Sequence, residues 1–317
     1  MNRLNNIILL VVFICTHAHS QQAYFVDGYH GGIYGHYPVK WKTQFIVDQL
    51  SKHPDWRICL EIEPETWDTV QIQTPGAYRQ LKNVVVTKQV EFTNPTYAQP
   101  YCYNISGESI IRQFQYGIAK INKHFPGVTF TTYSVEEPCF TSCLPQILNL
   151  FGFKYAVLKC PNTCWGGYTN AYGGELVNWV GPDGTVPRYA CEKLEENSTW
   201  QTTAWCNEES YLNACRDAGI EHPVGMCFQD AGWKNGPWLG SGKNTKSNSV
   251  YVTWKDYFEN ISIGKTNDDW HFSQEDMRVN LMWGSQVLQR IAQEVRTSEN
   301  KIIIAEKMSV IAHLANG

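Results

Sequence analysis

The chain has 317 residues, 43% of them hydrophobic and 18% charged, and a formal net charge of −4. That is a globular composition, long enough for one large α/β domain and a smaller companion. It carries no basic patch of the kind nucleic acid demands, so that class of partner is set aside.

Residues 1–20 read as a signal peptide. Arg3 supplies the charge, Ile7 to Cys15 the apolar stretch, and Ala18-His19-Ser20 a small-x-small cleavage site. Lipid attachment at Cys15 is the alternative, but Val12-Phe13-Ile14 lacks the small residues of a lipobox. Nothing later is long and apolar enough to span a bilayer. The mature chain is therefore expected in the periplasm, at the cell surface or in the medium.

Strands and helices then alternate. A strand at Tyr24–Val26 stops at Asp27 and opens on the Gly-rich stretch Gly28-Tyr29-His30-Gly31-Gly32-Ile33-Tyr34-Gly35-His36. An amphipathic segment covers Val39–Ser51, a strand Arg57–Ile62, a helical stretch Tyr78–Val85 and a short strand Val90–Thr93. The clearest helix is Glu108–Lys123, where Ile110, Ile111, Phe114, Ile118 and Ile121 recur at helical spacing behind a Ser106 N-cap. Strand Val128–Tyr133, helix Ser142–Phe151 and strand Tyr155–Leu158 continue the alternation, which predicts a parallel sheet, open or closed into a barrel. Glu175–Val180 and Thr185–Cys191 flank Gly181-Pro182-Asp183-Gly184 and read as a β-hairpin insertion. After residue 262 the pattern is helical. Met277, Leu281, Leu288, Ile291 and Val295 form one stripe, and a turn at Thr297-Ser298-Glu299 separates them from a second helix, Asn300–Leu314. The expected domains are 21–262 and a helical hairpin over 263–317.

Eleven cysteines less Cys15 leave ten. Cys139 and Cys143, and Cys160 and Cys164, are four apart, which is not the CxxC spacing of a zinc cluster; disulfides or buried thiols are expected instead, and export favours disulfides. Aromatics make up 13% of the chain, and most of the tryptophans lie after residue 160. They serve as core packing or as platforms for flat sugar faces.

Acids recur where the strands end: Asp27, then Glu61, Glu63 and Glu65, then Glu136 and Glu137, then Asp230 ahead of Trp233. Glu91 lies within the third strand. The C-terminal ends of parallel strands lie on one side of a sheet, so these acids converge. Any one of them alone is best read as a solvated charge or cap. Together, beside tryptophans, they suit glycoside hydrolysis by two carboxylates, or a divalent metal held by carboxylate and imidazole.

From about Ala23 to Ala312 the chain resembles the N-terminal part of glycoside hydrolase family 38, the α-mannosidase family. Gly107-Glu108-Ser109-Ile110-Ile111-Arg112-Gln113-Phe114, Glu136-Glu137-Pro138, Leu144-Pro145-Gln146-Ile147-Leu148 and Gly152-Phe153 carry the resemblance. So do Trp179-x-Gly181-Pro182-Asp183-Gly184 and Asn267-Asp268-Asp269-Trp270. It implies an α/β fold with a seven-stranded-type β/α barrel, a hairpin insertion and the start of a helical bundle. The family's nucleophile is an Asp before Pro; here Glu137-Pro138 copies the pair, while Glu136 better matches the spacing to Pro145. The acid/base falls at Asp268 or Asp269. The family's zinc-binding His-x-His-x-Asp-x-Gly-Trp is replaced by Asp27-Gly28-Tyr29-His30-Gly31-Gly32, which offers Asp27 and His30 as metal ligands in a different order. A divalent metal, zinc by resemblance, is the implied cofactor, and Tyr29, Glu63, Trp165, Asp230 and Trp233 are the residues expected to bind substrate.

Three readings follow. The first is an exported, retaining, α-mannosidase-like glycosidase. The second is a carbohydrate-binding protein on a decayed glycosidase scaffold. The third is a metal-dependent polysaccharide deacetylase, for which His30 and His36, six apart, lack the close helical spacing of four.

Overall fold

The computed structural model describes residues 21–34, 37, 39–135, 141–157, 176–184, 189–191, 209–217, 219–229, 249–263, 269–271 and 289–316. The first strand, β1 (Ala23–His30), is longer than its apolar run because it is paired on both edges. On one edge β8 (Val224–Gln229) runs parallel to it from Tyr24 to Tyr29. On the other, β2 (Ile58–Glu61) pairs with Asp27–His30 and β9 (Ser249–Tyr251) with Ala23–Phe25. β3 (Val90–Phe92) completes this five-stranded sheet against β2.

The second five-stranded sheet has the order β10-β6-β7-β5-β4, formed by β4 (Thr132–Tyr133), β5 (Tyr155–Val157), β6 (Leu176–Val180), β7 (Tyr189–Cys191) and β10 (Asp269–His271). β6 and β7 are antiparallel, as the hairpin reading requires, with Leu176 opposite Cys191. Gly184 closes their turn at φ +81°, where its amide meets the Gly181 carbonyl. Every other pairing is parallel. The sheets meet where the Ser134 amide donates to the Thr93 carbonyl at 3.2 Å. The described strands form two sheets joined at this seam, not a closed seven-stranded barrel.

Alternation along the strands assigns the faces. Phe25, Tyr29, Ile58 and Leu60 join the outer core under the helices, together with Trp56, Trp67 and Phe114. Val26, Cys59, Tyr155, Val157 and Leu176 form an inner cluster with Trp254 and Phe258. The outer core is covered by α1 (Lys42–Lys52), α2 (Thr66–Gln73), α3 (Pro75–Val85), α4 (Gly107–His124) and α5 (Leu144–Leu150). The proline at the start of α3 splits the helical stretch before Val85 in two. In α4 the stripe of Ile110, Phe114 and Ile121 is buried, and the Ser106 hydroxyl accepts the Ser109 amide at 3.2 Å as the sequence predicts. α6 (Glu209–Asp217) and the short α7 (Trp254–Asp256) follow.

The predicted turn at Thr297-Ser298-Glu299 does not form. Those residues lie inside α8 (Gln289–Asn316), a single helix of 28 residues. No glycine or proline interrupts the stretch, and Thr297 satisfies its hydroxyl on the Gln293 carbonyl one turn back, at 2.8 Å. α8 is anchored on α4: Glu299 accepts the Ser106 amide at 3.1 Å, and Arg112 pairs with Glu306 through two 2.7 Å bonds. Among the described residues, no helix is long and apolar enough to cross a membrane.

Cys59, Cys102 and Cys143 are free thiols. These three stand outside the expected disulfides, and two of them are the buried thiols that were the other expectation. Titration of unreduced, denatured chain should therefore find at least three reactive thiols. Fewer than three would contradict this arrangement.

Candidate functional site

The C-terminal ends of β1, β2 and β4 bring polar side chains together on the inner face. His30 ends β1, four residues beyond Val26 and so on its face; Glu61 ends β2, two beyond Cys59. Their side chains meet, with His30 Nδ1 at 3.1 Å from Glu61 Oε1. Glu61 is fully buried and His30 is 8% exposed. Ser134, just past β4, donates its hydroxyl to Glu61 Oε2 at 3.5 Å, and Gln99 donates to the Glu61 carbonyl at 3.2 Å. A buried carboxylate thus orients an imidazole at the C-terminal strand ends.

Glu63 lies two residues beyond Glu61 and is 4% exposed. Its Oε2 is buried without a hydrogen-bond partner. Burial pushes its carboxyl above the usual range and Glu61 adds to this, while backbone amides and His30 pull it down. Glu63 was expected to touch substrate, but the structure packs it beneath the turn that follows His30. The next acid, Glu65, faces outward to Tyr97 and Lys120.

The remaining expected residues divide. Asp27 is not the end of its strand but lies three residues before it, so its side chain projects from the outer face, opposite to His30. There its Oδ2 accepts the Trp56 indole N–H at 2.9 Å and its Oδ1 the Gly28 amide at 3.0 Å. Tyr29 is fully buried in the outer core, edge-on to Tyr37 at 4.9 Å, and is not placed to touch a substrate. Asp27 and His30 therefore do not converge as a metal pair. Among the described residues no group of three His, Cys, Asp or Glu side chains could hold an ion. Asp269 starts β10 at the edge of the second sheet, exposed, with its Oδ1 accepting the Asn178 amide at 2.8 Å. Asn178 is two residues beyond the inner-face Leu176, which puts the pair on the inner face. Glu136, Glu137, Trp165, Asp230, Trp233, Asp268 and His36 lie outside the described residues.

Ser134 was the member of this group that sequence reasoning did not single out, and Glu61 was counted among the converging acids without a role of its own. The signal was present in Cys59-x-Glu61-x-Glu63 and Thr132-x-Ser134, which put polar residues at alternate positions where a buried strand runs out.

One layer deeper, Cys59 directs its thiol to Glu91 Oε2 at 3.6 Å, and the Lys255 amide donates to the same oxygen at 2.9 Å. Burial pushes the Glu91 carboxyl up to about 7. Folded Glu91 keeps its proton through a range in which the unfolded chain, near its ordinary 4.5, has released it. Stability should therefore fall as pH rises from about 4.5 to 7 and level off above. Glu91→Gln should flatten that slope and gain roughly 1–3 kcal/mol at neutral pH. Parallel stability curves for the two proteins, from urea unfolding across this window, would exclude it.

Parallel strands that deliver a buried carboxylate–imidazole pair to their C-terminal ends define the class: an α/β domain built like an enzyme. The model of the glycosyl hydrolases family 38 N-terminal domain matches residues 9–196, and the chain belongs to that family. Its fold is shared with an α-mannosidase from Enterococcus faecalis V583, at 15% identity and a TM-score of 0.58, over 79% of this chain and 30% of that one. A glycosyl hydrolase family 38 protein from Enterococcus faecalis matches at 15% identity and 0.52, over 79% and 28%. A 4-α-glucanotransferase from Thermococcus litoralis matches at 14% and 0.52, over 79% and 41%. The chain thus spans less than a third of the two Enterococcus faecalis proteins. No curated protein sequence matches it.

Proposed function

We propose that this chain is an exported, α-mannosidase-like glycoside hydrolase that cleaves glycans by a two-carboxylate retaining mechanism at the C-terminal strand ends. The observation that carries the reading is the buried His30–Glu61–Ser134 group at those ends, in a chain of family 38. In this reading Glu136 or Glu137, which follow Ser134 closely in sequence, attacks the anomeric carbon. Asp268 or Asp269 protonates the leaving oxygen, then draws the proton from water when the glycosyl ester is hydrolysed. Glu61 holds the His30 ring at the strand ends, where the imidazole meets sugar hydroxyls or the developing charge. Export rests on the leader read in residues 1–20.

The test is product release from a panel of aryl glycosides and glycans, with and without chelator. Release of mannose with retained anomeric configuration is expected. Glycan binding with no release from any member of the panel would replace this reading with that of a binding protein on a decayed scaffold.

A further inference from the structure

Among the described strands, β3 and β4 each stand last in their sheet, and the seam between them is stitched by the Ser134 amide on the Thr93 carbonyl. Alternation assigns the side chains that border this seam. Phe92 and Tyr133 join the outer core, so Glu91 and Thr93 on one side, and Thr132 and Ser134 on the other, face inward. Thr93 and Ser134 are joined, which puts Glu91 and Thr132 on the rung below them. Thr93, Thr132 and Ser134 are fully buried, and Ser134 reaches Glu61 Oε2 at 3.5 Å. Glu91 Oε1, Thr93 Oγ1 and Thr132 Oγ1 are buried without a hydrogen-bond partner. Below them lies a cleft of about 580 Å³, lined by Val90 and Glu91 at the start of β3 and by Val128 and Thr129 on the approach to β4. A polar column thus runs from a cleft behind the sheets to the His30–Glu61–Ser134 group at the strand ends.

Three unsatisfied polar atoms in one seam are costly, because each has given up water without gaining a protein partner. Valine has the shape of threonine and would fill the seam without that cost. The ligand that satisfies these atoms is water itself. It is small enough for a gap between two strands, it donates to Glu91 Oε1, and it both donates to and accepts from a hydroxyl. We propose that the seam binds a file of water, held by Glu91, Thr132 and Thr93, that joins the rear cleft to Ser134 and Glu61. In a glycosidase such a file brings water from behind while glycan covers the strand ends. That use rests on the proposed glycosidase activity; the file itself does not.

The experiment is a crystal structure of the full chain at a resolution that shows ordered water. Beside it, water relaxation dispersion counts long-lived buried waters in solution, in wild type and in the double variant Thr93→Val/Thr132→Val. About two or more waters are expected in the seam, within hydrogen-bond reach of Glu91 Oε1, Thr132 Oγ1 and Thr93 Oγ1. The count in solution should fall by about the same number in the double variant. A dry seam in the crystal overturns the proposal, and so does an unchanged count in a folded double variant. If the double variant does not fold, the wild-type crystal structure decides. Delivery is tested by offering the wild type an alcohol that competes with water for the glycosyl group. The double variant should pass a share to the alcohol at least about twofold larger, because water reaches the ester less readily. An unchanged share removes the delivery role. Wild-type protein that cleaves nothing removes the proposed activity and leaves the water result standing.

Discussion

Glu136→Gln or Glu137→Gln should lower turnover of an aryl α-mannoside by several orders of magnitude while the chain keeps its fold. The amide is isosteric with the carboxyl but cannot form the glycosyl ester on which a retaining mechanism depends. Two arguments point to different members of the pair. The spacing to Pro145 in the family resemblance favours Glu136. The acid–Pro pair of the family resemblance favours Glu137. The variant that loses turnover identifies the nucleophile, and wild-type turnover in both removes the pair from the mechanism. Asp269→Asn should behave differently. It should slow substrates with poor leaving groups most, because those need the proton, and spare activated aryl glycosides. Its exposed carboxylate, bound to Asn178, is compatible with exchanging protons with solvent. Equal slowing of good and poor leaving groups would take Asp269 out of the acid/base role.

The fold was legible where periodicity and local chemistry agreed. α4 carries a helical stripe, a serine cap and a basic last turn, all pointing the same way, and its observed limits lie within a residue of those expected. The hairpin was legible from its Gly-Pro-Asp-Gly turn. What failed was the end of β1. A charged residue after a short apolar run reads as a strand terminus, yet Asp27 is interior because Trp56, distant in sequence, supplies an indole N–H to its carboxylate. That error moved the expected site by three residues and to the wrong face. It made Asp27 and Tyr29 look functional and left Glu61 unassigned. α8 failed for a simpler reason. Thr297-Ser298-Glu299 is polar, but polarity alone does not break a helix that has no glycine or proline. Barrel closure was beyond reach, because pairing between distant strands is a tertiary matter that no local pattern encodes.

Asp27→Ala separates structure from catalysis most sharply. Asp27 is fully buried and its two carboxylate oxygens are engaged by the Trp56 indole and the Gly28 amide. Alanine leaves a cavity between the first sheet and its covering helices and strands the indole N–H in an apolar core. Losing a charged acceptor for a buried donor, with the void added, should cost about 2–4 kcal/mol. For a domain of this size that lowers the thermal midpoint by roughly 5–15 °C. Trp56→Phe, which removes only the donor and part of the ring, should cost less. The double variant should fall short of the sum, because the shared hydrogen bond is lost only once. Because Asp27 lies on the face opposite His30, molecules of Asp27→Ala that remain folded at low temperature should release product at the wild-type rate. An Asp27→Ala chain that melts like wild type but has lost hydrolysis would reverse this. Asp27 would then belong to the chemistry, and the face assignment drawn from strand alternation would be wrong.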